Sequence, residues 1–335
     1  VTDPHQKKLR KLVLISILLA LVVVALGAYT RLTHAGLGCP DWPGCYGQLD
    51  VPTTAEQIAK AEHAFPDRPV EPEKAWNEMI HRYFAGSLGL LILAIAILSI
   101  KHRHSGTPVK LPLLILAIVI FQAALGMWTV TMKLMPIVVM GHLLGGFTTL
   151  CLLFLLYLRL KVYRVPGGDS RLRSTASLGM IGIIILTAQI ALGGWTSSNY
   201  AALVCVELPI CQSGWVESLT FENSFDVIPP ERETYEFGYL DHNERVTIHV
   251  MHRIGAIITT IYLFWLVMRV FRRAESHFFK QTSFLLGLVL TTQVVLGISN
   301  IWFSLPLAVA VSHNVVAACL MLVLIKLTYS LSRKI

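Results

Sequence analysis

Long apolar stretches alternate with short polar ones along the whole chain. Eight of them, about residues 12–30, 79–100, 111–131, 137–158, 174–196, 247–269, 282–303 and 307–328, are 18 residues or longer. That is enough for a helix to cross the hydrocarbon of a bilayer. The pattern predicts an all-α polytopic membrane protein with eight transmembrane helices. The first run is too long for a removable signal peptide and lacks a small-residue cleavage site. Composition agrees: of 335 residues 54% are hydrophobic and 14% charged, where a soluble domain would carry roughly a quarter charged.

The net charge of +8 acquires its meaning from where the charges lie. With an even number of spans both termini share a side. The segments on that side (1–11, 101–110, 159–173, 269–281 and the tail) hold most of the 28 Lys and Arg. The positive-inside rule then puts both termini in the cytoplasm. The longer loops 31–77 and 197–245 fall on the outer, periplasmic side of a cell inner membrane. The basic excess reports topology, and no nucleic-acid partner is implied.

The second half of the chain repeats the plan of the first. At one constant offset Leu26, Gly27, Thr30, Ala35, Leu37, Cys39, Pro43 and Cys45 meet Leu192, Gly193, Thr196, Ala201, Leu203, Cys205, Pro209 and Cys211. At a slightly larger offset His81, Arg82, Ala85, Gln122, Leu125, Gly126 and His142 meet His252, Arg253, Ala256, Gln293, Leu296, Gly297 and His313. The expectation is two tandem-duplicated four-helix bundles, residues 1–165 and 166–335, with Pro166-Gly167-Gly168 as the linker. Each half has an even number of spans, so the repeats run parallel.

Four histidines fall inside apolar runs at matched positions: His81 and His142 in the first half, His252 and His313 in the second. Ionisable residues inside a membrane are costly and mark function. Two facing imidazoles at one depth suit bis-histidine heme ligation, in the core between facing helices. Small residues three or four positions beyond each histidine (Ala85, Gly145 with Gly146, Gly255 with Ala256, and Ala317) would leave flat space for a macrocycle. A zinc site would need a tighter cluster of three or four ligands.

Glu78 breaks the symmetry, because its partner in the second half is His249. On a helix Glu78, His81 and Arg82 share a face. A carboxylate beside a heme edge could act as a general base, or it could simply pair with Arg82 or an outer-loop lysine. Arg82 and Arg253 could grip heme propionates or snorkel to the outer surface. His249 is a candidate supporting group and His34 a candidate neighbour of a cofactor edge. The outer cysteines have identical spacing, and Cys39–Cys45 with Cys205–Cys211 is the simplest pairing. Cross-loop pairing stays open, as does a redox role beside plain loop stapling.

These residues jointly resemble the heme A synthase family, over nearly the whole chain. The resemblance is carried by the run from Gly27 to Cys45, by Glu78-x-x-His81-Arg82, by His142 followed by Gly145-Gly146, and by His252, Arg253 and His313. It implies an oxidoreductase that converts a porphyrin methyl group of heme O to a formyl group by successive hydroxylation, in the service of cytochrome oxidase assembly. It implies that His81 and His142 hold the substrate heme in the first half, that His252 and His313 ligate the iron of a heme b cofactor in the second, and that Glu78 takes part in catalysis. Cys39–Cys45 matches the family's functional cysteine pair. Implied partners are heme O synthase, oxidase assembly factors and an electron acceptor the sequence does not name; whether the chain forms a homo-oligomer stays open. The competing reading is a non-catalytic di-heme cytochrome b-type electron carrier, which gives Glu78 no task.

Overall fold

The computed structural model describes residues 4–160 and 169–333. The predicted linker Pro166-Gly167-Gly168 lies outside them. The described residues form helices and connecting loops, with one isolated backbone bridge between Cys45 and Gln48. Eight helices are long and apolar enough to cross a membrane, and the chain is a multi-pass membrane protein. They are α1 (Pro4–Leu32), α3 (Pro72–Lys101), α4 (Lys110–Thr131), α5 (Pro136–Leu160), α6 (Ala176–Ser198), α7 (His242–Arg273), α8 (His277–Trp302) and α9 (Leu307–Ser332). A shorter α-helix, α2 (Ala55–Ala64), lies in the first long loop, and short 3-10 helices cover Arg103–Ser105 and Ser170–Thr175.

Local chemistry sets where these helices begin. Pro72 opens α3 at a position where its missing N–H costs nothing. Asp241 and Glu244 form a capping box at the start of α7, and the Ser276 hydroxyl accepts the Phe279 N–H at the start of α8. Both α3 and α7 start several residues before the apolar runs that announced them. The chemistry-bearing residues therefore sit two or three turns inside helices rather than at their mouths. The short helix α2 carries a further capping box, Thr54 with Gln57.

The chain divides into two compact units. One comprises Val1–Leu156 together with Val227–Gly238, and the other Tyr157–Asp226 together with Tyr239–Ile335. In the first, α1 packs on α3 and α3 on α4. In the second, α6 packs on α7 and α9, and α8 on α7 and α9, which closes a four-helix ring. Buried Asp169 ties the start of the second unit to its α7–α8 turn, accepting the N–H groups of Glu275 (3.2 Å) and Ser276 (2.9 Å).

Each unit carries a small disulfide-centred core on its long loop. In the first, Cys39–Cys45 packs with Tyr46, Val51, Ala61 of α2, and Ala75 and Met79 of α3. The Asp41 carboxylate anchors this turn by accepting the N–H groups of Tyr46 (2.6 Å) and Gly47 (2.8 Å). In the second, Cys205–Cys211 packs with Val246 and Val250 of α7. The turns joining paired helices also match: Lys133 and Leu134 have φ of 48° and 65°, and Ser304 and Leu305 have 55° and 63°.

Residues 227–238, part of the acidic second loop, belong to the first unit. The Tyr235 N–H donates to the Lys133 carbonyl (3.0 Å), Glu236 pairs with Arg68 (3.1 Å), and Phe237 stacks obliquely on His34 (5.4 Å between ring centroids). The length and acidity of that loop have a use here: a short strap bound by an ion pair and a ring contact.

Candidate functional site

The second turn of α3 places Glu78, His81 and Arg82 on one face. Glu78 is buried. Its Oε1 is 2.5 Å from Arg82 Nη2, and its Oε2 accepts the Cys39 N–H at 2.9 Å. That contact needs the loop to lie directly against α3, and Gly38 makes this possible. A Cβ at Gly38 would come within 2.5 Å of the Lys74 main chain. The Arg82 guanidinium also donates through Nη1 to the carbonyls of Asp41 (2.9 Å) and Gly44 (2.5 Å). Arg82 therefore bridges a buried carboxylate to the carbonyl side of the disulfide loop, where charge-assisted bonds are strong.

The second unit builds the same clamp with different chemistry in its centre. Arg253 Nη1 donates to the carbonyls of Glu207 (2.5 Å) and Ile210 (2.6 Å), and Nη2 to that of Cys205. Glu207 and Ile210 are the repeat counterparts of Asp41 and Gly44. Where Glu78 stands in the first unit, His249 takes the Arg253 Nε–H on its Nε2 (3.1 Å), and its Nδ1 bonds the Ala201 carbonyl (2.8 Å). Both arginines hold loop backbone rather than reaching out to solvent. The two frames are alike, and only the first contains a carboxylate.

Between the two members of the Arg–Glu pair in the chain, His81 faces His142 of α5. Their ring centroids are 6.4 Å apart with the rings nearly perpendicular. Two imidazoles each about 2 Å from a shared metal would have centroids roughly 6 Å apart. Nδ1 of both rings is buried without a hydrogen-bond partner. The pair fits a bis-histidine heme site on these grounds. Among the described residues no group of three or more His, Cys, Asp or Glu is placed to hold a bare metal ion. In the second unit His313 of α9 lies within electrostatic reach of His252 of α7, and its Nδ1 is likewise buried without a partner.

Each of these rings rests on a glycine of a neighbouring helix. A Cβ at Gly27 would stand 3.0 Å from Cε1 of His81, and one at Gly126 3.2 Å from Cε1 of His142. The values for Gly193 with His252 and Gly297 with His313 are 3.1 and 3.2 Å. Three of these glycines follow a glutamine by one helical turn. The Gln122 amide donates to the His142 carbonyl. The Gln189 amide lies 3.0 Å from both the His252 carbonyl and its Nδ1, and the Gln293 amide 3.2 Å from His313 Nε2. Gln122 and Gln189 fill the notches left by Gly145 and Gly255, which the sequence reading had reserved for a macrocycle. The repeat matched Gln122 with Gln293 but gave them no task, and Gln189 was missed. Their signal is the shared pattern Gln-x-x-Leu-Gly at 122–126, 189–193 and 293–297.

His34 lies apart from these rings in the contacts it makes, against Phe237 of the strap. Partial burial, with Arg31 and Lys74 nearby, holds its imidazole below the ordinary value of 6.5.

Comparison with known proteins accords with this geometry. The family model described as cytochrome oxidase assembly protein (COX15-CtaA) matches residues 10–325. The heme A synthase of Shewanella oneidensis is 52% identical over 320 residues, covering 96% of each chain. Those of Bacillus licheniformis and Listeria welshimeri are 24% identical over 325 residues and 27% over 326, and each covers more than nine-tenths of both chains. The chain belongs to the heme A synthase family of cytochrome oxidase assembly proteins.

Proposed function

We propose that this protein is a heme A synthase, an oxidoreductase that oxidises a methyl substituent of heme O to a formyl group by successive hydroxylation. The substrate heme binds in the N-terminal half, residues 1–165, between His81 and His142. A heme b cofactor binds in the C-terminal half, residues 166–335, between His252 and His313. The two halves are a tandem duplication, a reading supported by the matched clamps, turns and disulfide loops. Both termini face the cytoplasm and the disulfide loops the outer side of the membrane.

The observation that carries the proposal is the carboxylate in one of two otherwise matching frames. Bound heme iron supplies one-electron and oxygen chemistry, as in other heme enzymes. The chain supplies placement. His81 and His142 fix the plane of the substrate. Glu78, one turn before His81 and held by Arg82 and the Cys39 N–H, stands where it can accept a proton from a group at the substrate edge or orient a water there. Its fixed position keeps the carboxylate oriented without reorganisation during the reaction. The second half, with His249 in that slot, offers a frame without a carboxylate, suited to holding a permanent heme for electron transfer. Heme O synthase as supplier and oxidase assembly factors as recipients follow from the same reading.

The test is co-expression with a heme O synthase and chromatography of extracted hemes. Wild type should accumulate heme A, and Glu78→Gln should retain heme O with heme A production reduced roughly a hundredfold or more. Heme A formation at the wild-type level in Glu78→Ala would refute the role of Glu78. His252→Ala and His313→Ala should each remove the resident heme b spectrum. Persistence of that spectrum in either would overturn the assignment of halves.

A further inference from the structure

The end of the first unit away from its disulfide loop gathers positive charge around a cavity that the heme chemistry does not use. Helix α1 begins at that end, α3 finishes there, and the two pack on each other. Between them lies a cavity of about 210 Å³. Its apolar lining is Leu9, which is buried, and Leu98. His5 and Lys8 of α1 line it from one side, and Lys101 with His102, the residue that caps α3, from the other. The His5 and His102 rings stack, with centroids 4.0 Å apart and planes inclined by 22°.

No Asp or Glu is among the described residues that line this cavity, and no ion pair among the described residues takes up Lys8 or Lys101. Two ammonium groups drawn to one cavity repel unless an anion sits between them. The matching end of the second unit is built otherwise. At the repeat offsets His5 meets Arg171, and Lys101 and His102 meet Arg272 and Arg273. There Arg171 pairs with Glu275 at 3.1 Å, and Asp169 accepts the N–H groups of the same turn. The second unit carries carboxylates at this end, whereas the segment between α3 and α4 contains none. Depth then selects the kind of anion. The apolar spans start at His5 and end at Lys101, so the cations stand at the edge of the hydrocarbon, where lipid phosphates lie. Farther along the same helices Ile15, Leu18, Leu93 and Ile97 are exposed, apolar surface on which acyl chains can rest.

We propose that this cavity binds the phosphate of an anionic phospholipid between Lys8 and Lys101, with the stacked His5 and His102 rings as one wall and Leu9 and Leu98 against the glycerol end. Basic pockets between transmembrane helices suit anionic headgroups in this way. A soluble phosphate would use the two cations and leave the apolar lining without a task. The bound lipid joins the start of α1 to the end of α3, the two helices that bring Gly27 against His81.

The test is lipid binding to the full-length, heme-loaded protein in neutral detergent, followed by native mass spectrometry during titration with dioleoylphosphatidylglycerol or dioleoylphosphatidylcholine. Wild type should hold a single phosphatidylglycerol about tenfold tighter than phosphatidylcholine. Lys8→Ala/Lys101→Ala should weaken phosphatidylglycerol binding by roughly twentyfold, about fivefold for each lysine, and leave phosphatidylcholine unchanged. Lys7→Ala/Lys110→Ala removes the same charge from the same end without touching the lining, and should weaken binding by less than about threefold, as screened charges do. Equal losses in the two double variants overturn the proposal in favour of a diffuse basic surface, and equal affinity of wild type for the two lipids overturns it as well. Lys101→Glu builds in the carboxylate that the second unit already has, and should abolish phosphatidylglycerol binding; undiminished binding there refutes the role of Lys101. Millimolar inorganic phosphate should leave the lipid in place, and its displacement would make this a soluble-anion site. Variants are compared at equal heme content, read from the Soret band, so that a folding defect is not scored as lost binding.

Discussion

Replacing Arg82 by methionine separates the two tasks of that side chain. The Arg82 and Glu78 side chains are only 12% and 6% exposed, so the pair is poorly screened. Removing one partner of such a pair leaves an uncompensated buried charge and costs about 3–5 kcal/mol. The loss of charge-assisted bonds to the Asp41 and Gly44 carbonyls adds about 1.5–3 kcal/mol. Glu78→Gln leaves Arg82 its carbonyl partners and should cost about 1–3 kcal/mol. In Glu78→Gln/Arg82→Met no carboxylate is stranded, so the double variant should be more stable than the sum of the singles by at least about 2 kcal/mol. The same substitution at Arg253 strands no carboxylate, because its neighbour is His249, and should cost less than Arg82→Met. The assay is reversible unfolding of the heme-free protein in mixed micelles with rising SDS fraction. Additivity of the two singles within about 0.5 kcal/mol would refute the claim that Glu78 depends on Arg82.

Other outcomes follow from the packing and the loops. Gly193→Ala puts a methyl group 3.1 Å from His252 Cε1, and should turn the ring and lower resident heme content, read from the Soret band. Gly38→Ala meets main chain that cannot yield, and should destabilise the first unit by about 3 kcal/mol. Replacing Cys205 and Cys211 by serine opens a short loop, with an expected loss of about 2 kcal/mol in the chain-entropy account, seen as earlier unfolding of the second unit. Burial, Arg31 and Lys74 hold His34 below its ordinary 6.5 against the opposing pull of Glu236, so folding favours the neutral ring. That contribution to stability should be fully present above pH 6.5 and be lost as pH falls below it. Unfolding in mixed micelles should therefore come earlier at about pH 5.5 than at about pH 7, by an increment that His34→Gln removes.

Much of the fold was legible because membrane spans announce themselves. An 18-residue apolar run has few other uses, and a histidine inside one stands out against it. The residues that carry charge were visible too, but not what they hold. Arg82 and Arg253 bind main-chain carbonyls, and a carbonyl has no letter in the sequence. Gly145 and Gly255 read as room for a macrocycle, because a glycine shows that space exists without showing what fills it; here Gln122 and Gln189 do. Helix α2 did carry a readable capping box in Thr54 and Gln57, yet ten amphipathic residues in a polar loop are easily passed over. The destination of residues 227–238 is a tertiary fact. Nothing in their acidity says that Glu236 will find Arg68.

The strap also bears on the order in which the protein can be made. Once α1 to α5 have left the ribosome, the first unit still lacks residues 227–238, which come only after α6 has been synthesised. The partner of the Lys133 carbonyl, the counter-ion of Arg68 and the ring that covers His34 all arrive late. The first unit therefore cannot complete this loop face on its own during translation. Cut after residue 165, it would be a fragment with an open face, and adding back the C-terminal half would restore the missing piece in trans.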